Sequence, residues 1–164
     1  MDRLIKWLAT AGGLGRLPNA PGTAGSALGL LIGLSVSRLV GYSSAQAVLV
    51  QMALLIAAIG VAVAVSTAAE RLFAQHDPGC VVIDEVVGMW LAIALVPPLS
   101  GAGWAGTLLA FALFRLFDTL KPPPLKWLAT FPGGWGIVLD DLGAGLYTAA
   151  ILWGVCRYAG LPGR

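Results

Sequence analysis

The sequence predicts an all-α integral membrane protein with about four to five spanning or re-entrant helices and an N-terminal helix lying at the interface. Three observations carry this. Only 11% of the 164 residues are charged and 58% are hydrophobic, whereas a soluble domain carries about 25% charge. One run, residues 45–69, has no charge at all. The remaining apolar stretches are separated by clusters of glycine and proline that stop helices.

The elements follow in order. In MDRLIKWLATAGG the apolar Leu4, Ile5, Trp7, Leu8 and Ala11 recur near helical spacing with Arg3 and Lys6 opposite, the pattern of an interfacial helix. The run is short and lacks a small-residue cleavage site, so no signal peptide is expected. Residues 13–26, GLGRLPNAPGTAGS, read as a turn-rich loop. An apolar stretch from about residue 24 to 41 carries Gly25, Gly29 and Gly33 at four-residue steps, the small-residue stripe along which two helices approach closely. Residues 45–69 are long enough to cross about 30 Å of hydrocarbon at about 1.5 Å per residue. ERLFAQHDPG reads as a polar connection into a third span at 80–96, ended by Pro97 and Pro98. A fourth, WAGTLLAFALFRLFDTL, stops at Lys121-Pro122-Pro123-Pro124, and a fifth covers about residues 135–156. The chain reads as one domain, 1–164.

An N-in, five-span arrangement places Arg3, Lys6, Arg16, Arg71, Arg115, Lys121 and Lys126 on the cytoplasmic side. These are seven of the ten basic residues, as the positive-inside bias prefers. Arg38, Arg157 and Arg164 fall on the other side. The basic residues form no block of the kind that binds nucleic acid. Cys80 and Cys156, both in apolar runs, suggest neither a disulfide framework nor a zinc site.

Within this arrangement Asp84 and Glu85 open the third span, Asp118 closes the fourth, and Asp140 and Asp141 open the fifth. Five of the eight acidic residues thus meet one leaflet. An Asp at a helix centre costs about 2.5–3.5 kcal/mol on insertion scales, against about 0.3–0.6 returned by each Leu or Val. Paired acids in two apolar segments therefore point to function. Adjacent residues lie about 100° apart on a helix, so neither pair can point all its oxygens one way, although each could straddle one polar seam. Clustered carboxylates demand a counter-charge, and a hard cation such as Mg²⁺ takes several oxygen ligands. Iron or manganese sites usually add histidine, and the chain has only His76. Arg115 and Lys121, spaced three and six residues along one side with Asp118 between them, complement a phosphate. Asn19, Thr23 and Ser26 add polar groups at the same leaflet, while Asp77 and His76 read most simply as solvated loop residues.

Four segments, GLGRLPNAPGTAGS, DPGCVVIDEVVGMW, FRLFDTLKPPPLKW and GGWGIVLDDLGAG, together resemble the phosphatidylglycerophosphatase A family in order and spacing, from about residue 5 to 156. The resemblance implies Mg²⁺-dependent hydrolysis of phosphatidylglycerol phosphate to phosphatidylglycerol and inorganic phosphate. It also implies a multi-pass protein of the bacterial inner membrane with its site facing the cytoplasm. The family's motif positions fall on Asp77, Asp84, Glu85, Arg115, Asp118, Lys121, Asp140 and Asp141, with Pro21-Gly22-Thr23 beside them. Metal ligation is expected from Asp84, Asp118, Asp140 and Asp141, with Glu85 a ligand or general base. Phosphate binding is expected from Arg115, Lys121 and Thr23, and Asp77 is a possible accessory. Other phosphatase chemistries lack their residues: no Arg stands six after either cysteine, there is no Asp-x-Asp, and His76 is alone. The rival reading is a cation- or proton-coupled transporter, which would favour charges at the midplane and an internal repeat.

Overall fold

The computed structural model describes residues 1–96 and 103–158, and among these every regular element is helical. In chain order they are α1 (Asp2–Ala9), a 3₁₀ turn (Ala11–Arg16), α2 (Pro21–Val40), α3 (Ala45–Phe73), α4 (Ile83–Ala94), α5 (Gly103–Leu120), α6 (Leu125–Leu128) and α7 (Gly134–Tyr158). Four of them, α2, α3, α5 and α7, are long and apolar enough to cross a membrane. Their outward faces agree. Leu49 and Ile56 of α3 are each 68% exposed and Leu108 of α5 is 65% exposed, an arrangement that lipid tolerates and water does not. The protein is an all-α membrane protein. The PPLSGAG turn lies, apart from Gly103, outside the described residues.

The boundaries correct the sequence reading in three places. First, α2 begins at Pro21, inside the segment expected to be loop, because a first-turn proline has its φ preset and no N–H to leave unpaired. Second, α3 runs through Glu70 and Arg71 to Phe73, where Ala74 adopts a left-handed φ of 49° and donates its N–H to the Glu70 carbonyl. Its start is capped by Ser44, whose Oγ accepts from the Ala47 N–H at 3.1 Å. Third, the segment 80–96 is not a fifth long span. Helix α4 has 12 residues, about 18 Å of rise against about 30 Å of hydrocarbon. Nine of those residues are buried. Its all-round hydrophobicity therefore comes from protein neighbours on every side.

Those neighbours are α2, α3 and α7. The glycine stripe of α2 packs on α4 as expected: Gly25 faces the Val82 carbonyl, Gly29 the Val86 backbone, and Gly33 the Ile93 side chain. The paired numbers rise together, so α2 and α4 run parallel. On the other side Gly145 of α7 lies against the Gly88 carbonyl, and Gly88 against the Asp141 carbonyl; α7 is parallel to α4 as well. Leu55 with Trp90, and Val63 with Val87 and Val138, pack in the opposite sense, which makes α3 antiparallel. Phe114 of α5 closes the core with Met89, Leu125 and Leu152. Helix α1 rests on the end of α3 through Ala9, Val65 and Ala69 and leaves Leu4 and Trp7 exposed, as an interfacial helix would. The result gathers the N-termini of α2, α4 and α7 and the C-termini of α3 and α5 at one end.

Candidate active site

That end holds the acids. Asp84 and Glu85 occupy the first turn of α4, Asp118 the last turn of α5, and Asp140 and Asp141 the second turn of α7. The two adjacent pairs straddle a seam, as helical geometry requires. Asp84 and Asp141 are buried, at 7% and 3% exposure, and with Glu85 each offers a carboxylate oxygen, all three within 4.8 Å of one another. Glu85 also leans toward α2: a side chain at Gly22 would collide with Glu85 Oε1 and meet Arg115 Nη1 at 3.1 Å. A glycine is needed there to let both groups in.

The five expected ligands do not converge equally. Asp118 accepts from Arg115 Nη1 at 2.5 Å, and Asp140 accepts from the Lys121 ammonium. The carboxylates thus divide into a trio and two that hold cations. Arg115 also donates to Ser26 Oγ at 3.3 Å, and Ser26 in turn donates to the Gly22 carbonyl at 2.8 Å. Lys121 is not on the α5 stripe that its spacing suggested. It stands just past the helix with a left-handed φ of 44°, which turns its ammonium toward α7. Thr23 sits half-buried in the first turn of α2 beside Gly22, and Asp77 is exposed in the α3–α4 loop, near enough for its charge to act on Lys121.

Three oxygens test whether a cation belongs here. Asp84 Oδ1, Glu85 Oε2 and Asp140 Oδ1 are buried and accept no hydrogen bond. A buried polar atom without a partner costs about 1–3 kcal/mol, and more when charged. Two of these atoms belong to the trio, and unpartnered oxygens on like-charged groups fit a hard divalent ion with water in its shell. Cys80 and Cys156 are free thiols and take no part.

The packing glycines Gly88 and Gly145 were not singled out from sequence. A signal was present: each follows a site carboxylate, Asp84 or Asp141, by four residues, one turn along the same face.

Residues 7–156 match the family model for Phosphatidylglycerophosphatase A. The chain belongs to the phosphatidylglycerophosphatase A family. Similar proteins include the Phosphatidylglycerophosphatase A of Haemophilus influenzae, 34% identical over 92% of this chain and 88% of the relative. That of Escherichia coli is 34% identical over 89% and 80%. A Bacteroides thetaiotaomicron protein with the provisional name phosphatidylinositol-3-phosphatase is 35% identical over 92% of each. No solved structure matches. As a phosphatidylglycerophosphatase A family member, the chain is a lipid phosphatase, and the Arg115 and Lys121 cations beside buried carboxylates suit a phosphate ester.

Lys121 gives a pH prediction. Burial alone would lower its pKa, but the Asp140 hydrogen bond and charge, with Asp141 and Asp77, outweigh burial and raise it above the ordinary lysine value. A raised folded-state pKa stabilises fully below the unfolded value, about 10.4, and is lost as pH rises through the folded one. The stability difference between wild type and Lys121→Met, measured by thermal unfolding in detergent, is expected to stay flat from about pH 7 to about pH 9.5.

Proposed function

We propose that the chain hydrolyses phosphatidylglycerol phosphate to phosphatidylglycerol and inorganic phosphate with Mg²⁺, at the cytoplasmic face of a bacterial inner membrane. The observation that carries this is the trio Asp84, Glu85 and Asp141, in which Asp84 Oδ1 and Glu85 Oε2 accept no hydrogen bond, beside Arg115 and Lys121 in a lipid phosphatase. Asp84, Glu85 and Asp141 would hold the ion, which when bound supplies Lewis-acid charge for the phosphate. Asp118 and Asp140, expected among the ligands, instead orient Arg115 and Lys121.

The chain's own groups then account for the rest. Arg115, fixed by Asp118 and Ser26, and Lys121, fixed by Asp140, bind the non-bridging phosphoryl oxygens and stabilise their charge in the transition state. Water attacks phosphorus, forming the new P–O bond as the bond to the lipid alkoxide breaks. Glu85, whose Oε2 has no donor, accepts the water's proton and returns it to the leaving oxygen. The acids lie in the first turn of α4, the last turn of α5 and the second turn of α7, which favours a substrate arriving from the headgroup layer over a midplane transport site. The basic-residue bias supports the cytoplasmic side.

Phosphate release by purified protein in detergent is the test. Turnover of phosphatidylglycerol phosphate is expected to vanish in EDTA and return with Mg²⁺. Undiminished turnover in EDTA would remove the metal from the reading. Faster hydrolysis of phosphatidylinositol 3-phosphate would replace the substrate with the one in the Bacteroides relative's name.

A further inference from the structure

The opposite end of the molecule has the reverse charge. All eight Asp and Glu residues are Asp2, Glu70, Asp77, Asp84, Glu85, Asp118, Asp140 and Asp141, and each lies in a loop or within about two turns of a helix end, those of α3, α4, α5 and α7 at the active-site end. Arg38 lies three turns up α2 from Ser26, about 18 Å away along the axis, where no acidic side chain exists to meet it. It is exposed, and none of the salt bridges among the described residues includes it. Beside it a cavity of about 750 Å³ opens between α2, the end of α4 and the start of α5, with apolar walls from Leu30, Leu34, Ile93 and Trp104. Tyr42 forms its polar end, pinned by its hydroxyl to Ser37 at 2.9 Å and to the Ala94 carbonyl at 3.2 Å.

An apolar cleft of this size accommodates a ligand the size of an acyl chain, and Arg38, the one cation among its described lining residues, selects a negative headgroup. Because α2 and α5 are membrane-length helices, the cleft opens to lipid, and Trp104, 84% exposed, stands at its mouth. We propose that this cleft is a second lipid site, distinct from the phosphatase centre, which takes an anionic glycerophospholipid of the opposite leaflet. One acyl chain lies along Leu30, Leu34 and Ile93, and the lipid phosphate pairs with Arg38. A charge near a membrane surface favours an anionic lipid by about 1 kcal/mol, which is about fivefold in binding.

Trp104 reports occupancy. Full-length protein is reconstituted in phosphatidylcholine vesicles containing a small fraction of lipid brominated on its acyl chains, either phosphatidylglycerol or phosphatidylcholine. The Trp104 signal is taken as the difference between wild type and Trp104→Phe. Brominated phosphatidylglycerol is expected to quench it with about fivefold higher apparent affinity than brominated phosphatidylcholine. Arg38→Lys is expected to keep that preference and Arg38→Gln to abolish it, while excess inorganic phosphate leaves the quenching unchanged. Equal quenching by the two lipids in wild type overturns the proposal without needing any variant. So does a preference that survives Arg38→Gln, or one that inorganic phosphate removes, since the latter marks a simple anion site. Phosphate release from lipid substrate is independent of every arm, so failure here leaves the catalytic reading standing.

Discussion

Asp84→Asn is expected to fold normally, to unfold at the same or a higher temperature than wild type, and to lose about 100-fold or more in phosphate release at saturating Mg²⁺. The substitution keeps the side chain's size but replaces one carboxylate oxygen by an N–H donor. Asp84 stands with Glu85 and Asp141 in a space where three oxygens meet within 4.8 Å. Removing one of three like charges relieves repulsion, and the new donor satisfies a neighbour, so stability does not fall. The same change removes a ligand from the proposed cation site. Opposite signs for stability and activity mark a functional group rather than a structural one. Thermal unfolding in detergent and a phosphate assay on the same preparation check both halves. Turnover within a few-fold of wild type would show that the trio is not where the chemistry happens.

Gly88→Ala is expected to cost about 1–3 kcal/mol of stability and about 100-fold in turnover. A Cβ at Gly88 would stand 2.7 Å from the Asp141 carbonyl oxygen and 3.0 Å from the Asp141 Cβ. Backbone cannot yield locally at that distance, so α4 and α7 must separate. Separation moves Asp141 away from Asp84 and Glu85. Gly60 is the control: it lies in α3, where an added Cβ would meet nothing within 4 Å, and its replacement by Ala is expected to be neutral or to stabilise by up to about 1 kcal/mol. Equal effects at the two glycines would mean that helix propensity, not the close approach at Gly88, sets the outcome.

Much of this was legible in the residues themselves. The scarcity of charge named lipid as the solvent, and the energetic cost of Asp84, Glu85, Asp140 and Asp141 in apolar runs made them candidates for function. The glycine steps 25, 29 and 33 declared a packed face, and that face meets α4. Proline and glycine clusters placed the breaks, with errors of a few residues where a proline opens a helix, as Pro21 does.

What the residues alone determined, then, is helical architecture in a membrane, the end of the bundle at which the acids sit, and the types of group available there. Only the tertiary structure decided that α4 is a short buried helix rather than a span, because an apolar run reads the same whether lipid or protein surrounds it. The same holds for the division of the carboxylates. Composition and spacing assign Asp118 and Asp140 the same standing as Asp84 and Asp141, but a carboxylate's partner depends on which neighbouring helix it faces. Arg115 and Lys121 pair with the first two, and close contact at Gly88 and Gly145 brings the others together with Glu85.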